Sequence, residues 1–398
     1  MAITEVTRTG FGTRSKNSIG GAIFGVLLVA VSTILLFWNE GRSVKRYKDL
    51  KQGASIVVTV PSDQVNAANE GKLVHMTGEA ETGSPLSDPQ FGISVEAVKL
   101  VRDAEMFQWV EDVDYKEREQ VGGSSETTKT YTYRKEWVSS LVDSNSFKDS
   151  TNHRNPGTMK YTSKSYLAKD VTVGAFDLPD FLVSMISGGD PLPAESLEGA
   201  APDVKSTATI SQGEFYFGEN PTIPKIGDQR VRFTIVPTGT VSLVAQQAGN
   251  SFVSFLTKTD GKLHLLSRGA KSSEEMFTAA HEANKALTWG LRIGGFVMMM
   301  FGFSMILKPL AVFASVLPFL GRIVETGTTA IAFLLSGILW TIVVAFAWIF
   351  YRPVIGIILL LVTAGLIALI VVRLRNKSGE TSSPPSAPPP LDTPPPLN

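Results

Sequence analysis

The feature that most constrains this chain is Ile19–Trp38, IGGAIFGVLLVAVSTILLFW, a stretch without a single charged residue. About twenty such residues, rising 1.5 Å each as a helix, cross a hydrocarbon core of roughly 30 Å. Arg8, Arg14 and Lys16 stand ahead of it, the charge order of a signal peptide. Yet the apolar run is longer than a signal core, and Trp-Asn-Glu-Gly-Arg follows it where a small-residue cleavage site would be needed. The stretch therefore predicts an uncleaved first transmembrane helix, 19–38, behind a polar N-terminal tail, 1–18.

The other long apolar segments lie between Leu291 and Val372. Ser272-Ser-Glu-Glu275 reads as a capping box that starts a juxtamembrane helix. That helix continues into a second crossing, so one element is expected over 272–307, with Trp289 as an interfacial anchor. Lys308-Pro309 reads as its end, and 308–328 is too short in apolar length to span, so it is expected to be interfacial or re-entrant. A third crossing is expected at 329–350. A tight hairpin at Tyr351-Arg352-Pro353 then leads into a fourth, so that 351–372 forms one unit. The remainder, 373–398, is basic and then proline-rich, a composition for disorder or polyproline geometry.

Between the first two helices, 39–271 is polar and reads mostly as β. Ile93, Val95 and Ala97, then Met106, Gln108 and Val110, fall on alternate positions, as do Tyr131 and Tyr133. Pro237-Thr-Gly239 reads as a hairpin turn between Arg230–Val236 and Thr240–Gln247, and Asp260-Gly261 as another. The proline-rich stretch near Gly188–Pro202 divides the region into two β-rich halves. The expected fold class is thus an α+β membrane protein. It has four transmembrane helices and one large β-rich extramembrane domain inserted between helices 1 and 2.

Lys plus Arg and Asp plus Glu both total 37, and a net charge of zero argues against nucleic acid as a partner. With no cysteine there is no disulfide, thiolate nucleophile or thiolate metal site. The four histidines show no i,i+3 or i,i+4 pairing, so no catalytic residue, cofactor or metal site is assigned. Two glycine pairs at GxxxG spacing, Gly21 with Gly25 and Gly290 with Gly294, are candidates for close helix packing. A candidate functional surface comprises Glu40, Arg42, Trp109, Glu111, His153, Asn155 and Arg352. His153, near Asp149 and Arg154, is the one place where acid–base chemistry could centre, and a structural turn histidine is its plainer reading. Charges flank the first helix on both sides, so counting them does not orient the loop.

Seven ordered blocks give the chain a specific likeness. They are Phe37–Arg42 (FWNEGR), Ala104–Asp112, His153–Pro156 (HRNP), Ile226–Val231 (IGDQRV), Ser242–Gln247 (SLVAQQ), Ser272–Phe296 and Trp348–Pro353 (WIFYRP). In these the chain resembles the LUMA family of four-pass membrane proteins, from the first helix to the fourth. The resemblance implies a large loop on the periplasmic or lumenal side and both termini in the cytoplasm. It implies a membrane scaffold that self-associates and organises membrane protein complexes, with membrane lipids and membrane proteins as partners, rather than an enzyme. A bacterial cytoplasmic membrane is the favoured location, with an endomembrane or the nuclear envelope in a eukaryotic host. An extracytoplasmic hydrolase near His153, or a transporter or channel, are the alternatives; the absence of acids and histidines within the crossings weighs against the last.

Overall fold

The computed structural model describes residues 2–120, 122–314 and 318–353. The expected fourth crossing at 354–372 and the tail at 373–398 lie outside the described residues. Among those described, three helices are long and apolar enough to cross a membrane: Phe11–Ile56, Ser273–Ala314, and Gly327–Tyr351 within the longer helix Pro318–Tyr351.

The first helix is far longer than its apolar stretch. It has 46 residues, about 69 Å at the ordinary rise, and continues through the basic segment after Trp38 until Val57 caps it on the Gly53 carbonyl. Lys, Arg and Gln in that segment are good helix formers, and Leu50 gives it a buried anchor. The second helix starts on the expected capping box. The Ser272 N–H donates to Glu275 Oε2 at 2.7 Å and the Glu275 N–H to Ser272 Oγ at 3.2 Å. It does not stop at Lys308-Pro309, since Pro309 lies inside a helix that runs to Ala314. A proline removes one backbone donor and crowds one carbonyl, a cost that packed neighbours can offset in a membrane helix. The third helix begins at Pro318, a favourable first position, so the separate interfacial segment expected over 308–328 is largely helix.

The β domain is built from two sheets. One runs Ile3–Thr9, Ser125–Val138, Ala97–Glu119, Gln229–Pro237, Glu214–Phe217, Ala208–Ser211 in order, all antiparallel. The other runs Phe176–Asp177, Val171–Val173, Leu73–Thr82, Gly239–Ala248, Ser251–Val253. Two expectations change here. Gln229–Pro237 pairs with Ala97–Glu119, whereas Gly239–Ala248 pairs with Leu73–Thr82, so the chain changes sheets at Pro237-Thr-Gly239 and forms no hairpin there. Gly239, with φ 149°, makes the corner possible. Each sheet also draws strands from both sides of the proline-rich loop, so there are no two separate halves. The Asp260-Gly261 turn does form a small hairpin, Phe255–Leu256 with Lys262–Leu263, and Asp260 takes the left-handed conformation.

Three apolar clusters fill the domain. One lies on the second sheet around Val74, Met76, Leu182, Leu243 and Phe252, and one on the first around Phe91, Tyr161, Phe215 and Phe233. The third joins Leu50 of the first helix and Met276 and Phe277 of the second to Leu73, Val244 and Leu263. That cluster fixes the domain to one end of the helices.

A long antiparallel arm, Ala97–Glu119 with Ser125–Val138, leaves the domain and returns along the helices. Its tip meets the far end of the first helix, where Arg14 donates to the Gly123 carbonyl at 2.7 Å and to Glu119 at 2.8 Å. There the tail at 1–18 is not a free leader. Ile3–Thr9, rich in β-branched residues, adds a strand to the arm, with Thr7 opposite Thr127.

Candidate functional site at the junction of helices and domain

The first and second helices are antiparallel, and their contact can be followed down the chain. Gly25 meets Gly302, where an added Cβ would come within 2.6 Å of the Gly302 carbonyl oxygen. About three turns further along the first helix, Leu36 lies on Gly295. Next comes a polar belt. Asn284, Thr288 and Arg292 recur every four residues on the second helix and so share one face. They meet Asn39, Glu40 and Ser43 of the first.

The centre of the belt is an ion pair. Arg292 Nε donates to Glu40 Oε1 at 2.6 Å and Nη2 to Oε2 at 2.9 Å, with side chains 10% and 1% exposed. Such a bidentate geometry compensates for the desolvation of both charges better than a single bond would. The third helix completes the enclosure. Trp348 Nε1 donates to Glu40 Oε2 at 3.0 Å, and Trp340 Nε1 donates to the Arg292 carbonyl at 3.2 Å. The Arg292 guanidinium also lies 4.8 Å from the Trp289 ring centroid.

Beside the pair, Arg42 donates to Asn284 Oδ1 at 3.1 Å and to Asn39 Oδ1 at 3.2 Å. Asn39 Nδ2 in turn donates to the Thr288 carbonyl and Asn284 Nδ2 to the Ser43 carbonyl, each at 3.1 Å. Trp38, Trp289 and Tyr351 lie at this same level; the first two are about half exposed, as aromatics at a membrane–water boundary are. The belt therefore marks the level at which helices become domain. Its chemistry is positional: an always-charged guanidinium clamped on a carboxylate holds three helices in register.

The residues singled out from sequence fall in two places. Glu40 and Arg42 belong to the belt, and Arg352 lies at its rim with its guanidinium 5.9 Å from the Trp348 ring. Trp109, Glu111, His153 and Asn155 meet elsewhere, at the root of the arm. There Asn155 Oδ1 accepts from the Trp109 N–H at 2.8 Å and Nδ2 donates to the Trp109 carbonyl at 2.9 Å. The asparagine thus stands in for a neighbouring strand. The His153 ring stacks on Tyr133 at 3.7 Å and meets Trp109 edge-on at 4.7 Å, with Nδ1 3.1 Å from the Asp149 carbonyl oxygen. Tyr133 donates to Glu111 at 2.7 Å, and its hydroxyl is pushed up to about 12, first by burial and then by that carboxylate. The Nδ1 of His153 also lies 3.2 Å from Asp149 Oδ2, and together these rings and bonds fasten a loop to the arm.

The glycines divide as well. Gly25 is in tight helix contact and Gly21 lies 3.7 Å from Met305, but a Cβ at Gly290 or Gly294 would meet nothing within 4 Å. The close second-helix contacts are made by Gly295 and Gly302 instead. Sequence reasoning missed these two, together with the Arg292 clamp and the roles of Asn39, Ser43, Asn284 and Thr288. The signal was present in the four-residue spacing of Asn284, Thr288 and Arg292, inside a helix already expected there. Among the described residues, no group of three or more His, Asp or Glu side chains is placed to hold a metal ion.

Comparison with known proteins places this architecture. The family profile of Transmembrane protein 43 matches residues 106–353. Transmembrane protein 43 of Rattus norvegicus and that of Homo sapiens are each 34% identical to the chain, covering 94% of it and 95% of their own length. The Transmembrane protein 43 homolog of Drosophila melanogaster is 30% identical over 86% of the chain and 92% of its own length. No solved structure matches. With a family profile over more than half its length and relatives along nearly all of it, the chain belongs to the Transmembrane protein 43, or LUMA, family of membrane proteins.

Proposed function

We infer that this membrane protein is a scaffold: its helices associate with other membrane proteins and with further copies of itself, while the β domain presents a binding surface beyond the bilayer. The observation that carries this reading is the division of labour on the helices. Their inner faces are closed by the Glu40–Arg292 clamp and the Gly25–Gly302 contact, whereas Ile23, Phe24, Leu27, Ile34, Ile338 and Phe346 face outward and are more than half exposed. Gly290 and Gly294 are open on that outer surface, so a neighbouring helix could approach closely there. The rigid link of domain to helices through Leu50, Met276 and Phe277 would let a partner on one side set the geometry of the other.

In this reading the β domain occupies the lumenal or periplasmic side and both termini the cytoplasm. The named relatives are animal proteins, which supports an endomembrane or the nuclear envelope over the bacterial membrane favoured from sequence. The test is self-association of the full chain in mild detergent, measured by light scattering. Gly294→Ile is expected to lower the assembly state, with Gly21→Ile acting in the same direction. A monomer in the wild type, unchanged by either substitution, would overturn the scaffold reading. Protease protection of the loop in sealed vesicles tests the orientation, and digestion from the cytoplasmic side would reverse it.

A further inference from the structure

We propose that the cleft between the first and third helices, at the level of the polar belt, is a binding site for one anionic phospholipid, with its headgroup among basic side chains and an acyl chain in the apolar groove below. Two adjoining hollows carry this. The first, about 560 Å³, is lined by Arg42, Lys45, Arg46 and Lys262, against the two acids Asp49 and Asp260. The second, about 510 Å³, is lined by Ile34, Phe37, Ile342 and Phe346. Trp38 and Tyr351 line both and therefore stand at the seam.

The charge is available for a ligand. Among the described residues, none of Lys45, Arg46 and Lys262 is in an ion pair. Asp49, the acid that partly offsets Arg46, has its Oδ1 occupied by the hydroxyls of Thr257 and Thr259. Among the described residues Arg46 otherwise donates only to the Lys262 carbonyl, at 3.4 Å. The Nε of Arg42 is buried and has no hydrogen-bond partner. A buried, unpaired guanidinium nitrogen is costly, and a phosphate oxygen is its natural complement. His264 nearby is held below its ordinary value by burial and then by Arg46 and Lys262, which reports the positive field in this region.

The order of chemistry along the cleft is that of a lipid. Apolar side chains lie on the part of the first helix that crosses hydrocarbon, aromatic side chains lie at its end, and cations lie just beyond. A free phosphate would use the upper hollow alone and leave the groove open to solvent or tails. Gly41 keeps the seam in shape. A Cβ there would come within 2.5 Å of Cζ of Tyr351 and drive that ring out of its place.

The experiment is native mass spectrometry of the full chain in detergent, titrated with phosphatidylserine and with phosphatidylcholine of the same acyl chains. The wild type is expected to retain phosphatidylserine at least about tenfold more strongly. Each of Lys45→Gln, Arg46→Gln and Lys262→Gln should weaken retention about fivefold, so the triple variant loses roughly a hundredfold together with the preference. Ile34→Trp should fill the groove and weaken both lipids while the preference remains. Glycerophosphoserine, the same headgroup without chains, should not displace the bound lipid. Equal retention of the two lipids by the wild type would overturn the proposal, as would retention unaltered in the triple variant, or displacement by glycerophosphoserine. Crosslinking of Ile34→Cys to a cysteine placed within 354–372, or to a second copy, would show that protein covers the groove and would overturn it too. Lipid retention is read on the monomer mass, so its failure is distinct from a failure to self-associate.

Discussion

At one end of its apolar stretch the first helix holds Arg292 through a carboxylate that is 1% exposed, enclosed by Trp348 and Trp340. At the other end it holds the arm through Arg14, whose partners Glu117 and Glu119 are 51% and 21% exposed. Both are arginine–carboxylate contacts, yet they demand different surroundings. The first is enclosed by indole rings, with Trp348 donating to the carboxylate, and is suited to a membrane boundary. The second sits on an arm carrying Glu111, Asp112, Asp114 and Lys116, alongside a helix whose outer face is apolar. Hydrocarbon excludes open sheet edges and unshielded charge. The closed arm and a bilayer around the whole of Ile19–Trp38 are therefore alternatives, and the contrast between the two ends says which contact survives immersion: the enclosed one.

That contrast can be broken in several ways. The largest effect is all-or-none. Since the chain has no cysteine, Thr7→Cys with Thr127→Cys reports the pairing of the N-terminal strand with the arm cleanly. A crosslink is expected in detergent and not in sealed bilayers; one formed equally in both would mean that protein shelters the arm across the membrane. Next comes Arg292→Leu, expected to cost about 3–5 kcal/mol by leaving Glu40 buried and unpaired, with Glu40→Leu in addition restoring most of it. Thermal unfolding in detergent measures both, and a single-variant loss near zero would remove the distinction between the two ends. Gly25→Ala or Gly302→Ala should cost about 1–3 kcal/mol through helix separation, while Gly290→Ala leaves the monomer unaffected. Arg14→Ala should cost less than Arg292→Leu, since Arg14 itself is only 10% exposed but the carboxylates it leaves, Glu117 and Glu119, are 51% and 21% exposed and keep water as a partner.

The smallest effect is one of pH. Burial, then Arg46 and Lys262, hold His264 below its ordinary value, so the folded protein prefers the neutral ring. Its contribution is fully present above about pH 6.5 and is lost as pH falls through that value towards the folded one. The melting temperature should decline on acidification below about pH 6.5, and His264→Gln should flatten that decline. A slope unchanged by the substitution would assign it to other groups.

Much of the helical architecture was legible because membrane helices announce themselves by length. The capping box at Ser272 and the start of the second helix were equally plain, being local signals between residues three apart. What could not be read was non-local. Nothing in Pro237-Thr-Gly239 distinguishes a hairpin turn from a corner between sheets, since both need the same backbone freedom. Whether Gly294 or Gly295 faces the first helix depends on a rotation of about 100° per residue, which the GxxxG spacing does not set. The candidate surface was half joined in sequence: Glu40 and Arg42 were chosen, but Arg292 lies 252 residues from its partner and was read only as the polar end of a span.

The sheet exchange at Pro237-Thr-Gly239 also sets a timetable for biogenesis. Met76 finds its strand partner in Leu243, on a segment made only after the proline-rich loop has left the ribosome. At ordinary synthesis rates this is a delay on the order of ten to thirty seconds, long after the first helix has entered the membrane. Throughout that interval Leu73–Thr82 presents an unpaired apolar edge within the compartment that receives the loop. A chaperone there would meet this strand first, and substitutions that slow closure would appear as loss of the protein to quality control before any change in the finished molecule.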